Sequence, residues 1–584
     1  MASNNYDSII FNGDRLQTAH TIPKYAGHVK INHFSIISPN NFPGGIVDLT
    51  KMFTRCEITE NIFSPYVSGY IDIGDATGLF ERIPIIGEEV LHISFQSVGA
   101  DIPEDKIDRY FRVVKVTNFN IDPKNDRLVT YTLNFTSIEY VINLATKVQK
   151  CYAGMKISDM VENIYEDYIN PHTSGAATAN LEIPERVLDV ETTKSEHNFT
   201  IPNLTPFQAM LFLASRAEAA GSGTAAQGYD AGQVDPGLFQ AAGLTEEGKD
   251  TKGAFYCFYD TIRGGFKFKS LETLMQSPEQ ITYIYAPLGT QYKDAFDQVA
   301  VESHMISDYN RASAIAVDVN LKNGMYGNRL ITHNIIRMRH DYYDLYYKKG
   351  YQDAGNIHTD SETGALIQTL PPTTANDFGN TVDNNSKHQH QIYVIDDDTY
   401  HLSNDPVISR GSDVIGKPQA HVSLKTTNDG CYVRFADINS EGAPQDKILR
   451  ETQIENWYSK RKMQNQLLNN FIYQVAVPGN THREVGDVIN LQLPTQMGEE
   501  TDRIQMKQSS LVGGKFVVTR VSHIFTRKGA GIIGHSLSLH AMKDGLSRRL
   551  PGTDYTPTNY GTWEGKDTDE AIAVSGRMKG QSGR

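Results

Sequence analysis

RYFRVVKVTNFN at 109–120 and GKFVVTRVSHIF at 514–525 are near copies of one strand, set far apart in a single chain. Laid together without gaps, Tyr110–Phe119 falls on Lys515–Ile524. Phe111 meets Phe516, Val113 meets Val518, Lys115 meets Arg520, Val116 meets Val521, Thr117 meets Ser522 and Phe119 meets Ile524. The flanks agree. IIGEEVLHISF (85–95) and EVGDVINLQL (484–493) each run through a glycine, an acid and an alternating strand. TLNFTSIE (132–139) resembles SLSLHAMK (536–543), and YVSGYIDI (66–73) corresponds to FIYQVAVP (471–478). Strands share a small vocabulary, and one such match arises by convergence. Several matches in one order predict two copies of a small antiparallel β-barrel. A chain with two equivalent domains can assemble as a trimer yet present six equivalent surfaces, and so join a threefold object to a sixfold one.

The rest of the chain is arranged around these copies. The predicted fold is mainly β with α+β elaborations: two homologous tube-type antiparallel β-barrels plus mixed α/β domains. Residues 1–28 read as a polar N-terminal arm and 29–140 as the first barrel. Alternation in VTYTLNFT puts Val129, Tyr131, Leu133 and Phe135 on one face. Residues 141–300 read as a mixed α/β domain with a Gly/Ala-rich loop insertion at 221–253. ISDMVENIYEDYI (157–169) has helical spacing with Ser158 as its cap, and 202–220 reads as a second helix with Thr205 as N-cap and Pro206 at its first position. AFYCFYDTIRGGFKFKS predicts a hairpin turning at Arg263-Gly264-Gly265. Residues 301–342 and 453–548 read as the second barrel with an associated helix at 453–471. A polar insertion at 343–452 interrupts it, with strand candidates at QIYVIDD and AHVSLKT. The tail 549–584 reads as flexible.

Composition excludes several function classes. The formal net charge of −14 argues against wrapping nucleic-acid phosphates through bulk charge, though such a chain could line a conduit that DNA must not stick to. The four cysteines, Cys56, Cys151, Cys257 and Cys431, are scattered without metal spacing and read as free thiols made in a reducing cytoplasm. The N-terminus lacks a signal-peptide pattern, and no apolar run approaches the ~18 residues of a membrane span.

No phosphate-binding glycine loop, dinucleotide fingerprint or nucleophile elbow is present. His340 and Asp344 form an H-x-x-x-D, and His388 and His390 an H-x-H, which together caricature a zinc peptidase. Zinc needs three or four ligands converging at about 2 Å. The glycine-rich context is missing, MRHDYYDLYY reads as a strand end entering a Tyr-rich loop, and these four residues are read as decoys. No catalytic, cofactor-binding or metal residue is assigned. SKRKMQNQ (459–466) reads as a solvated helix face. The basic C-terminus, Arg548-Arg549 and Lys579–Arg584, reads as a disordered end or a docking strap. Tyr342, Tyr343, Tyr346, Tyr347 and Tyr351 could serve core packing or an interface equally.

CEITENIFSPYVSGYIDIGDATGLFERIPIIGEEVLHISF, RYFRVVKVTNFNID and NFTSIEYVINLATKVQKCYAGMKISDMVENIYEDY resemble, in order, segments of the central baseplate hub proteins of contractile-tailed bacteriophages. So do FTIPNLTPFQAMLFLASRAEA, GAFYCFYDTIRGGFKFKS and PGNTHREVGDVINLQLP, and the related N-terminal hub part of type VI secretion spike proteins is similar to them. Together these segments span most of 28–345 and 450–545. The resemblance implies a non-enzymatic homotrimer whose barrels form a pseudo-sixfold ring between a hexameric tail tube and a trimeric spike. It further implies, as partners, a lysozyme-bearing spike, tail-tube or tube-initiator proteins, the tape-measure protein and baseplate wedge proteins. DNA would pass only as cargo, no cofactor is needed, and the location is the virion tail baseplate, assembled in the host cytoplasm. The alternatives are the hub part of a contractile injection or secretion spike and a tail-associated zinc peptidoglycan hydrolase.

Overall fold

The computed structural model describes residues 25–38, 46–82, 85–87, 89–98, 106–121, 128–170, 186–194, 196–220, 255–285, 302–313, 327–334, 339–346, 422–427, 454–493, 513–528 and 532–545, with isolated positions between 299 and 325. The first strand set is β1 (Val29–Ile37), β2 (Ile46–Asp48), β3 (Phe53–Asn61), β4 (Ser68–Asp75), β5 (Val90–Ser97), β6 (Ile107–Ile121) and β7 (Val129–Ser137). The middle segment holds β8 (Cys151–Lys156), β9 (Leu188–Val190), β10 (Glu196–Thr200), β11 (Tyr256–Thr261) and β12 (Gly265–Ser270). The second set is β13 (Glu279–Ile284) and β14 (Asp308–Ser313). An excursion follows through β15 (Gly327–Asn334), β16 (Arg339–Tyr346) and β17 (Val422–Thr427). The set is then completed by β18 (Phe471–Pro478), β19 (Val488–Gln492), β20 (Gly514–Arg527) and β21 (Ile533–Lys543).

The two sets pair their strands in the same order. The first runs β3-β4-β7-β6-β5-β1, and the second runs β14-β18-β21-β20-β19-β13. The likeness extends to irregularities. In β6 the ladder to β7 bulges between Val113 and Lys115, and in β20 the ladder to β21 bulges between Val518 and Arg520, the residues the sequence alignment superposes. Val113 N donates to Glu89 O at 3.0 Å, and Val518 N donates to Asp487 O at 2.9 Å. The acid in each case follows a left-handed glycine, Gly87 (φ 97°) or Gly486 (φ 91°), a conformation that favours a residue without Cβ. A bulge bends a strand and re-aims its side chains, so its retention fixes the same curvature in both sets. The pairing moves the downstream match: Leu133 corresponds to Leu539, not Leu537, a two-residue shift that preserves which face is buried. Only the last strand differs in sense, β1 lying antiparallel to β5 and β13 parallel to β19.

Each set closes over its own apolar interior. Period-two alternation drives this: Phe471, Tyr473, Val475 and Val477 all point inward from β18. The middle segment has a separate core. Ile157, Met160, Val161, Ile164 and Tyr165 on the helix Ile157–Tyr168 pack with Phe207, Met210 and Leu213 of the helix Pro206–Ala214. Thr205 caps the latter reciprocally: Gln208 N donates to its hydroxyl at 3.4 Å and Thr205 N donates to Gln208 Oε1 at 3.2 Å.

Several expectations are corrected. The helix expected over 202–220 is nine residues long, because Thr205 starts it and the chain turns at Ser215. Lys156, not Ser158, is the N-cap of the other helix, and Ser158 Oγ donates to Asp159 instead. Glu279–Ile284, placed within the mixed segment, pairs with β19 of the second set. Residues 327–334 and 339–342, placed in the second barrel, form with 343–346 of the insertion and with β17 a separate three-stranded sheet. β16 stays a strand through Tyr346 rather than ending in a Tyr-rich loop. QIYVIDD, Tyr347, Tyr351, Cys431 and the basic C-terminus lie outside the described residues.

Candidate functional site

The two sets are joined by a strand pair. The first half of β20 pairs with β19, and its second half, Arg520–Thr526, pairs antiparallel with Asn61–Arg55 of β3. Ile62 N donates to Thr519 O at 3.0 Å, and the Thr59 and Ser522 hydroxyls lie 2.9 Å apart across the seam. The cores interlock there. Phe525 of β20 sits in the first interior with its ring centroid 4.5 Å from that of Phe95, while Ile62 sits in the second. The N-terminal stretch adds a strap: His28 bridges to Gly534, Tyr25 Oη donates to Ile533 O at 2.8 Å, and His535 N donates to Gly27 O at 3.1 Å. A Cβ on Gly27 would meet His535 O at 2.2 Å, so only glycine fits this crossing.

Polar groups buried at the seam are matched in part: Glu60 Oε1, His523 Nε2 and His535 Nδ1 make no hydrogen bond among the described residues. The β11–β12 hairpin inserts Ile262, whose N–H donates to Glu60 Oε2 at 3.0 Å. Burial, reinforced by Glu484, holds the Glu60 carboxyl well above its ordinary range. His523 Nε2 is 3.7 Å from Glu60 Oε1, and its Nδ1 shares a hydrogen bond of 3.1 Å with His535 Nε2. Burial pushes the His523 imidazole down to about 3 and His535 well below its usual value. Burial thus favours the neutral forms of Glu60, His523 and His535 at the seam. Nearby, buried Arg109 of β6 pairs with Asp260 of the hairpin and donates to Thr261 O at 2.9 Å, while Arg186 donates to Asp260 Oδ1 at 3.1 Å. A buried pair of this kind stabilises little over an apolar substitute, yet losing one partner strands the other charge. It therefore fixes the hairpin against β6.

Sequence reasoning found the repeated strand but missed the seam. Its signal was present: β20 reads Ile524-Phe525 where β6, by the strand pairing, reads Asn120-Ile121. Of the four decoys, His340 and Asp344 fall on β16, opposite His333 and Arg329. Four residues along a strand are about 13 Å apart, too far for one zinc ion. His388 and His390 lie outside the described residues. Among the described residues, no group of three or more His, Cys, Asp or Glu is placed to hold a metal ion. Nor is any helix among them long and apolar enough to cross a membrane. Cys56 and Cys257 are buried and Cys151 is exposed, all free. The basic run is not simply solvated, since Arg461 turns inward, donates to Ala214 O at 3.0 Å and stacks 4.3 Å over Phe255.

No family model and no curated protein matches the sequence. Among solved structures, the chain is similar to a tail protein from Neisseria meningitidis MC58, at 8% identity and TM-score 0.41, covering 88% of this chain and 96% of that one. A 43 kDa tail protein of prophage MuSo2 from Shewanella oneidensis gives 8%, TM-score 0.39, and coverages of 88% and 98%. An Escherichia coli component of the type VI secretion system, described as similar to T4 tail proteins gp27 and gp5, gives 7%, TM-score 0.33, and coverages of 89% and 78%. At such scores, function is read from the chain's own geometry.

Proposed function

We propose that the chain is a structural baseplate hub. Three copies close a pseudo-sixfold ring that joins a hexameric tail tube on one face to a trimeric spike on the other. One observation carries this reading: two strand sets of identical order are already joined edge to edge within one chain, so each chain is two repeats of a ring and contains one of its joints. A joint that pairs unlike edges propagates head to tail and closes into a ring when the rotation allows. Six repeats from three chains match both symmetries, which explains why one strand is built twice.

The role is mechanical rather than catalytic. The spike, the tube or its initiator, the tape-measure protein and the surrounding wedge proteins are its partners, in the tail of a virion. The same architecture serves the hub part of an injection spike. The net charge of −14 would keep passing DNA from adhering to the channel, and a neutral or positive channel wall would sink that idea. The native mass of the purified chain over a dilution series tests the ring. A trimer, imaged as a six-lobed annulus, is expected. Zinc bound near stoichiometrically and lost in His388→Ala would favour a peptidase instead.

A further inference from the structure

The seam between β20 and β3 has a second, unfilled counterpart. β6 corresponds to β20, and its first half pairs with β5 only as far as Arg112. Beyond the shared bulge, Lys115–Ile121 has β7 on one side and no strand on the other among the described residues. This stretch carries exposed apolar side chains: Phe119 is 51% exposed and Ile121 53%. The counterpart of β3 in the second set is β14, which pairs with β18 and is likewise the end strand of its sheet among the described residues.

Register shows that these two edges fit each other. Through β7 and β21, Thr117 corresponds to Ser522, Asn120 to Ile524 and Ile121 to Phe525. Through β4 and β18, Ser313 corresponds to Thr59, Asn310 to Glu57 and Tyr309 to Cys56. In the existing seam, one residue on each strand separates the Ser522–Thr59 pair from Ile524–Glu57. β6 has gained one residue in that interval, bulging between Thr117 and Asn120 with Asn118 left-handed at φ 55°. β14 has gained one residue in the same interval, bulging between Arg311 and Ser313. A strand with one extra residue would fall out of step on β3 or any regular edge. Two strands with the extra residue at the same place stay in step.

We propose that β6 of one copy pairs antiparallel with β14 of a second copy of this chain, with Thr117 opposite Ser313, Asn120 opposite Asn310 and Ile121 opposite Tyr309. This rests on the ring reading and specifies its intermolecular joint. Tyr309 already packs on the second core, as Cys56 belongs to the first. Ile121 would therefore seat beside Tyr309 as Phe525 seats beside Cys56. The matched insertions also account for specificity, because the intermolecular joint cannot exchange partners with the intramolecular one without losing register.

The test uses the full chain with Cys151 and Cys431 changed to Ser. Asn120→Cys and Asn310→Cys are placed together, both at exposed positions. Directly opposed strand residues meet disulfide geometry, whereas a two-residue diagonal does not. Mild oxidation is expected to give covalent dimers and closed trimers from this pair. Neither single variant, nor Asn120→Cys combined with Asp308→Cys, should link into a ring. A native oligomer that forms but links in neither register, or only through Asp308→Cys, overturns the joint and leaves the ring standing. A chain monomeric at every concentration overturns the ring and this joint with it.

Discussion

In β20 the residues after the shared bulge lie against β3, and Val521, Ser522, His523 and Phe525 are buried. In β6 the corresponding residues follow the same bulge and face no strand among those described, with Phe119 and Ile121 about half exposed. The two stretches share their pairing and differ in surroundings. Burial at this seam is thus set by the neighbour as much as by the strand. The sequences differ accordingly: Phe525 lies in the first interior, and its counterpart Ile121 is 53% exposed.

The largest effect should come from emptying the filled joint. Phe525→Ala removes a ring from the first interior and should cost about 3–5 kcal/mol, as large-to-small core changes do. Ile121→Ala should change the unfolding of the isolated chain by no more than about 0.5 kcal/mol, as exposed sites do. Denaturant unfolding of both variants at concentrations that keep the chain monomeric compares them. Equal losses would mean that the free edge is already covered within the chain, and the contrast would fail.

Glu60 should come next. Glu60→Gln keeps an acceptor for the buried Ile262 N–H and, because burial already favours the neutral carboxyl, should be silent at low pH and at neutral pH should not destabilise the fold. Glu60→Ala strands that N–H and should cost about 1–3 kcal/mol. A charged carboxylate at this site would abolish the difference, Gln then being as costly as Ala.

Acid should loosen the filled joint selectively. The folded chain holds His523 down to about 3, so its contribution is complete above the unfolded value near 6.5 and is lost as pH falls toward 3. His535, also depressed by burial, acts in the same direction. Glu60 opposes them: its raised pKa stabilises the fold at low pH and is lost as pH rises. Two imidazoles against one carboxyl give a net loss below about pH 6.5. In Glu60→Gln the opposing group is gone, so the loss should steepen. Amide exchange in β20 between pH 7 and 5 reads this directly, while β6 amides, with no histidine in that stretch, serve as the internal reference.

The repeat was legible because a bulge and its Gly-acid turn need particular residues: Gly87 and Gly486 supply left-handed backbone, and the alternating strands beside them keep one face apolar. Thr205 and Pro206 marked a helix start for the same reason, since a cap is a local event. Pairing between distant strands left no comparable mark. Nothing in Glu279–Ile284 shows that it lies parallel to β19, and nothing in 327–346 shows that it leaves the barrel for β17. The seam itself was hidden by length. The gapless alignment sets Phe119 on Ile524, whereas the bulge after Thr117 makes Asn120 the true counterpart. The one residue by which β6 is longer than β20 in this interval is the one a gapless alignment must hide.

The smallest predicted effect tests the correspondence most finely. The Thr59–Ser522 hydroxyl contact at 2.9 Å crosses the filled joint, and Ser522→Ala should cost about 1 kcal/mol whether or not the chain is assembled. At the open joint the same two residue types recur with strands exchanged, Thr117 on the β20-like strand and Ser313 on the β3-like one. Thr117 already accepts a hydrogen bond from Asn134 at 2.9 Å within its own chain. Thr117→Ala therefore has a small effect in the monomer and a further one in the ring. Unfolding of the monomer and dilution-driven dissociation of the oligomer separate the two. A Thr117→Ala chain that dissociates like the parent would show that the edges meet without that pair aligned, and would move the register even if β6 and β14 remain partners.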